Sequence, residues 1–330
     1  MNMQLKADNV KTEYISILRM FAIFSVVCAH VTDSTSSLSN LVISSLGTFG
    51  VGVFYIISGY FFYRDKKNPA VFARKKLTSV ILPWMFCGTL DWLYVVIRRG
   101  GFSLQNWVSS NFVHSHYYYL SVLLVFYLVM WKLRKNHIVC VILLSVSFTS
   151  MWLTGKGLLS IYPYINPLNW LAYFIVGIEI SRHDCFDTIS LASKKLLPYT
   201  FPLSIFLFCW VVYDGKAVSY WYHGTVVSIA LMIMTIMGLT KYICDYTDNQ
   251  SKVKSLLIWG GNFSFSIYLI HMPFAGVIKY FIDKFDYGIG QFLAPFLVIA
   301  TVCVCLYLIL KIPFPHKVKQ YINMILGIRA

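Results

Sequence analysis

The 330-residue chain is 58% hydrophobic and only 12% charged, far from the roughly 25% charge of a soluble domain, so a soluble enzyme is excluded. A net charge of +15 would suggest nucleic acid in a soluble protein, but the basic residues lie in short segments between apolar runs, where membrane topology accounts for them. Most of the eight cysteines sit inside apolar runs and none forms a CxxC pair, so neither a disulfide framework nor a metal site is expected.

Ten apolar runs follow one another along the chain: 14–31, 42–62, 77–97, 114–131, 138–153, 165–181, 198–213, 223–240, 262–282 and 291–312. Each is near the roughly 20 residues that a bilayer core requires. Backbone polar groups in lipid leave only helices or a closed barrel, and continuous apolar runs, without period-two alternation, choose helices. With the N-terminus inside, 21 Lys and Arg fall on the inner side and six on the outer, Lys311 and Lys279 being counted with the span ends they sit beside and Arg19 lying within the first span. That asymmetry sets the orientation. The expected fold is all-α: a polytopic membrane protein of about ten transmembrane helices, with both termini cytoplasmic. Residues 1–13 and 313–330 are the expected tails and 14–312 the membrane domain. The first run lacks a small-residue cleavage site and is followed by many spans, so no cleavable signal is expected. No segment between spans could hold a soluble catalytic domain. Any chemistry belongs in the bundle or at its mouths.

The first span carries Arg19 and His30, eleven residues apart. On an α-helix they fall within about 20° of one face and about 16 Å apart along the axis. One stripe therefore presents a fixed cation at one depth and a titratable imidazole at another; a snorkelling arginine and a boundary histidine would give the same pattern. Asp33 follows His30 by three residues. The second span contains Gly47, Gly50, Gly52 and Ser58, and its small residues suit close helix packing in lipid. The next inner loop gathers Arg64, Lys66, Lys67, Arg74, Lys75 and Lys76. These read either as topogenic charge facing anionic lipid or as a landing site for a phosphate-bearing donor. Asp91 is the single acid deep in the third span. His116 and Tyr118 open the fourth. Glu179 and Arg182 form an i,i+3 pair of structural type. In the ninth span His271 lies mid-run, with Tyr268 three residues earlier on the same face. An imidazole at that depth faces the bundle interior. HExxH, P-loop and GxSxG motifs are absent.

Taken together, these residues resemble the acyltransferase-three family. Arg19, ten intervening residues and His30 are similar to the family's opening helix. Phe54 and Tyr55 leading into Ser58, Gly59 and Tyr60 resemble its second helix. Arg74, Lys75 and Lys76 with Pro83 look like its basic loop. His116 followed by three tyrosines resembles its His-x-Trp-Phe/Tyr segment, with Tyr in place of the usual Trp. Tyr268, Leu269 and His271 resemble its late Tyr-Leu-x-His segment. The matches run in family order from residue 13 to about 275.

The resemblance implies transfer of an acyl group, usually acetyl from acetyl-CoA, to a hydroxyl or occasionally an amine. The implied acceptor is a cell-surface polysaccharide, a lipid-linked oligosaccharide or another small molecule, and the implied location is a bacterial cell membrane. No permanently bound cofactor is implied, acyl-CoA being a substrate. Some members carry an appended hydrolase-like domain; the resemblance here is to the stand-alone type, so none is expected. On this reading Arg74, Lys75 and Lys76 engage the donor's phosphates. Arg19 holds a pantetheine carbonyl or developing oxyanion charge. His30 is a general base or itself relays the acyl group, with Asp33 in reach to orient it. Ser58, His116, Tyr118, Tyr268 and His271 line the cavity. Three other readings stay open: a transporter or flippase of a lipid-linked glycan, a non-catalytic sensor or assembly subunit, and an enzyme using succinyl or longer acyl donors.

Overall fold

The computed structural model describes residues 2–31, 38–113, 115–213, 220–247, 251–285 and 290–328. Among these, every regular element is a helix: α1 (Asn2–His30), α2 (Leu38–Leu46), α3 (Gly50–Arg64) and α4 (Pro69–Lys76), then a π-helical turn (Leu77–Ile81) running into α5 (Leu82–Arg99). After these come α6 (Leu104–Phe112), α7 (Tyr118–Leu133), α8 (His137–Gly155), α9 (Leu168–Arg182), α10 (Phe186–Tyr213) and α11 (His223–Tyr246). The chain ends with α12 (Lys252–Asn262), α13 (Ser264–Phe285), α14 (Gly290–Lys311) and α15 (His316–Ile325). It is an all-α, polytopic membrane protein.

Each of the ten predicted spans contains helix, and among the described residues eight helical segments are long and apolar enough to cross a membrane. The other two, α7 and α9, have only 16 and 15 residues. They serve as core helices. α9 buries ten of its 15 residues, so its length answers to protein neighbours rather than to bilayer thickness.

The sequence reading of 42–62 as one unbroken span differs from the structure, which interrupts the helix between α2 and α3. The interruption follows from close approach to α1. A Cβ at Gly47 would collide with Ala29, and one at Gly50 with the Ala22 carbonyl. Breaking a helix in lipid frees backbone groups that must find partners. Ser25 of α1 supplies two: its hydroxyl donates to the Leu46 carbonyl (2.7 Å) and accepts from the Gly50 N–H (2.9 Å). Tyr220 donates to the Gly47 carbonyl (3.0 Å). The run read as 198–213 begins twelve residues earlier, at Phe186, with Pro198 and Pro202 inside α10; transmembrane helices tolerate proline where neighbours re-satisfy the backbone.

Backbone contact also joins α3 to α9. A Cβ at Gly59 would strike the Phe174 carbonyl, and one at Gly177 the Ile56 carbonyl, so the two helices meet through small residues. Around them Tyr55, Phe62, Phe126, Trp170 and Phe174 build an aromatic core. Both segments expected as tails contain helix: α1 begins at Asn2, and α15 packs against α5, the Cys87 thiol lying 3.6 Å from the Ile325 carbonyl.

Candidate active site

Three helical regions distant in sequence bring three imidazoles together. His30 is the last residue of α1, His116 precedes α7, and His271 lies within α13. Ring centroids are 5.3 Å apart for His30 and His271, 5.0 Å for His116 and His271, and 6.0 Å for His30 and His116. His271 is fully buried and His116 nearly so.

The backbone fixes the tautomer of His271. Its Nδ1 lies 2.9 Å from the Tyr268 carbonyl and 3.2 Å from the Ile267 carbonyl. A carbonyl only accepts, so Nδ1 carries the hydrogen and the neutral ring presents Nε2 as a lone pair. Nε2 of His271 and Nε2 of His116 are buried without a hydrogen-bond partner among the described residues. Buried polar atoms without partners are uncommon; two aimed into one cluster mark a place that a substrate can complete. His116 is itself held from two sides. Tyr268 donates its hydroxyl to the His116 carbonyl. The Tyr117 ring lies tilted against the His116 ring (centroids 3.9 Å apart), and its hydroxyl lies 2.6 Å from Asp91 Oδ2.

Two chambers meet this framework at different depths. One, of about 370 Å³, is lined by His30, His116, Tyr118, Tyr162, Tyr164, Tyr220, Ser44 and Thr48, and Gly47 at the α2–α3 interruption forms part of its wall. Burial pushes the Tyr164 hydroxyl up to about 12, so it stays a neutral donor near pH 7. The second chamber, only about 70 Å³, is lined by Arg19, Ser58, Tyr119, Asn262, Ser264 and Tyr268. Ser58 lies 3.2 Å from the Tyr119 hydroxyl, and the Arg19 guanidinium rests 5.7 Å from the Phe61 ring. Tyr268 joins the two: it lines the Arg19 chamber while its hydroxyl reaches the His116 backbone.

The structure thus gathers Arg19, Ser58 and Tyr268 at one end of the Arg19–His30 stripe of α1, and His30, His116, Tyr118 and His271 at the other. It does not bring the basic triplet to either chamber. Arg74 and Lys75 are exposed on α4, and Lys76 lies over the rings of Phe72 and Tyr127, lining an apolar groove with Lys132. Asp33 lies outside the described residues. Tyr117 and Tyr119 lie in the His116-Tyr-Tyr-Tyr segment, where the sequence does not say which rings turn to the site, and Tyr164 and Tyr220 carry no local signal in a chain with 23 tyrosines. Asp91 had one, its isolation in an apolar span. Far from the histidine cluster, Glu179 accepts from Arg182 Nε and approaches His137 (3.0 Å) and His183 (3.4 Å). These three carry the one metal-like grouping among the described residues, with Arg182 occupying both carboxylate oxygens.

Three imidazoles gathered inside a helical membrane bundle define a polytopic membrane protein with groups able to accept and donate protons. Residues 12–310 match the acyltransferase-three family, described as an acyltransferase domain, and the chain belongs to that family as a membrane acyltransferase. No curated protein and no solved structure matches the chain.

Proposed function

We propose that this protein moves an acetyl group from cytoplasmic acetyl-CoA to a hydroxyl of a cell-envelope glycan. The observation that carries the reading is the division of one helix stripe between two chambers, a guanidinium in the first and an imidazole cluster in the second. The positive-inside asymmetry puts the Arg19 end toward the cytoplasm, where the donor is. Arg74 and Lys75, exposed beyond α3 at that same end, meet the donor's phosphates. Arg19 holds the pantetheine arm. The about 16 Å between Arg19 and His30 keeps the arginine off the reacting carbonyl, so its part is to bind rather than to stabilise the oxyanion.

At the far end the acceptor hydroxyl enters the tyrosine-lined chamber. His30 takes the hydroxyl proton as the oxygen attacks the thioester carbonyl. The new C–O bond forms, the C–S bond breaks, and the proton passes to the departing thiolate. His271, with its lone pair fixed by the backbone, and His116 keep the proton within the cluster. In the relay version a His30 ring nitrogen attacks the thioester carbonyl, the C–S bond breaks and the thiolate leaves with the ring proton; the N–acetyl bond then breaks as the acceptor hydroxyl attacks, returning its proton to the ring. A flippase would need no such cluster, and the acyltransferase family assignment favours chemistry over transport.

The test is the acetyl content of surface glycans, read by NMR in cells carrying the intact gene, a deletion, and His30→Ala at matched membrane level. A positioned base contributes about 10²–10⁴-fold, so acetyl signals should vanish in the deletion and fall to near background in His30→Ala. Full acetylation in His30→Ala overturns the proposal.

A further inference from the structure

The histidine cluster has a support on its far side that the mechanism above does not use. Besides the tyrosine-lined chamber, His116 lines a separate cavity of about 530 Å³ between α5 and α13, and Asp91 and Tyr117 share its wall. Asp91 lies midway along α5, inside a membrane-spanning helix. A carboxylate at that depth needs a cation or several donors, and its neighbours supply neither. Arg98 stands seven residues further along α5, about 10 Å away along the axis, with its guanidinium 2.8 Å from the Tyr94 hydroxyl. Cys87, one turn back, turns its thiol to the Ile325 carbonyl. Tyr280 is the titratable group that α13 adds to the same cavity. Among the described residues, the Tyr117 hydroxyl is the one hydrogen-bond partner of the Asp91 carboxyl.

That hydroxyl stands between two oxygens, 2.6 Å from Asp91 Oδ2 and 2.8 Å from the Leu269 carbonyl. Both are hydrogen-bond distances, yet a phenol has a single hydrogen to give and a carbonyl has none. The sequence explains why Leu269 takes it. In α13 the regular donor to the Leu269 carbonyl is the N–H four residues on, and that residue is Pro273, which has no N–H. A carbonyl freed inside a membrane must find another donor, and the Tyr117 hydroxyl supplies it. With the phenolic hydrogen committed to Leu269, the 2.6 Å approach to Asp91 is a hydrogen bond only when the carboxyl brings the hydrogen.

We infer that Asp91 is a neutral carboxylic acid that donates to the Tyr117 hydroxyl, and that it is a positioning residue for the histidine cluster. A carboxyl kept neutral in an apolar site is a hydrogen-bond donor. Acting through Tyr117, it ties α5 to the carbonyl that Pro273 leaves free, two residues from His271, and fixes the ring that lies against His116. It is a donor in this arrangement, not a counter-ion to the imidazoles. Ionised, Asp91 would draw the phenolic hydrogen to itself and leave the Leu269 carbonyl without it.

Two measurements on the purified full chain in detergent at neutral pH test the inference, and neither uses turnover. The first is infrared spectroscopy with isotope-labelled aspartate. The wild type should show the C=O band of a protonated carboxylic acid, shifted by deuterium exchange and missing from Asp91→Asn. Carboxylate bands alone in the wild type overturn the assignment. The second is NMR of isotope-labelled histidine in Asp91→Asn and Asp91→Leu. Asn keeps a donor of the same size, so the His116 and His271 ring signals should stay in place. Leu removes the donor and should shift both. His137 and His183, which contact Glu179 away from the cluster, should hold still in both variants and so report an intact fold. Cluster signals that move as far in Asn as in Leu, or in neither, overturn the positioning role. The inference goes beyond the acyl-transfer reading: its failure leaves transfer at His30 standing, and a failed His30→Ala test leaves the proton on Asp91 untouched.

Discussion

The two ends of the Arg19–His30 stripe on α1 are built on opposite principles. At the Arg19 end a permanent cation lies in a chamber of about 70 Å³ among hydroxyl and amide groups: Ser58, Tyr119, Asn262, Ser264 and Tyr268. At the His30 end three imidazoles share a larger space, and two of their nitrogens have no partner among the described residues. A guanidinium cannot be deprotonated in proteins and only donates; a neutral imidazole with one nitrogen committed to a carbonyl offers a lone pair with the other. The first end is equipped to hold an anion or a carbonyl, the second to move a proton. On the proposed reading, the Arg–x10–His spacing joins a binding group to a reacting group that act on different atoms.

That division can be broken by kinetics. His271→Ala removes the lone pair fixed against the Tyr268 carbonyl; we expect kcat to fall about 100-fold, in the range of positioned proton-transfer groups, with donor KM unchanged. Arg19→Ala should instead raise donor KM about tenfold or more, the scale of a lost charge-assisted hydrogen bond, with the smaller effect on kcat. Steady-state acyl transfer in proteoliposomes at varied acetyl-CoA separates these two outcomes. If Arg19→Ala lowers kcat alone, the guanidinium acts at the reacting carbonyl and the division fails. The smallest effect should come from Tyr268→Phe. Loss of the hydrogen bond to the His116 carbonyl is worth about 1 kcal/mol, a few-fold change in rate. It should add to neither end alone, because Tyr268 touches both.

Legibility followed the range of the interactions. Arg19 and His30 could be paired in the sequence because helical periodicity alone puts them on one stripe. Tyr268 and His271 could be paired for the same reason, three residues apart. The convergence of His30, His116 and His271 could not, since it joins α1, the segment before α7, and α13. The basic triplet was legible as charge but not as location; α4 carries Lys76 onto the faces of Phe72 and Tyr127, a cation–π arrangement that depends on α7.

By itself the sequence determined the membrane class, the helical content and the order of the spans. Those follow from the cost of leaving backbone groups unpaired in lipid, which each segment pays locally. Tertiary structure decided which spans lie in the core, where the second span breaks, and which polar groups meet. The helix break at Gly47 exists because α1 approaches closely enough for Ser25 to satisfy it. The two cavities that meet at His116 exist because α5, α6 and α13 leave space on one side of it, and α1, α2 and the segments before α9 and α11 on the other. Packing across a bundle depends on residues hundreds of positions apart, and local pattern does not carry that information.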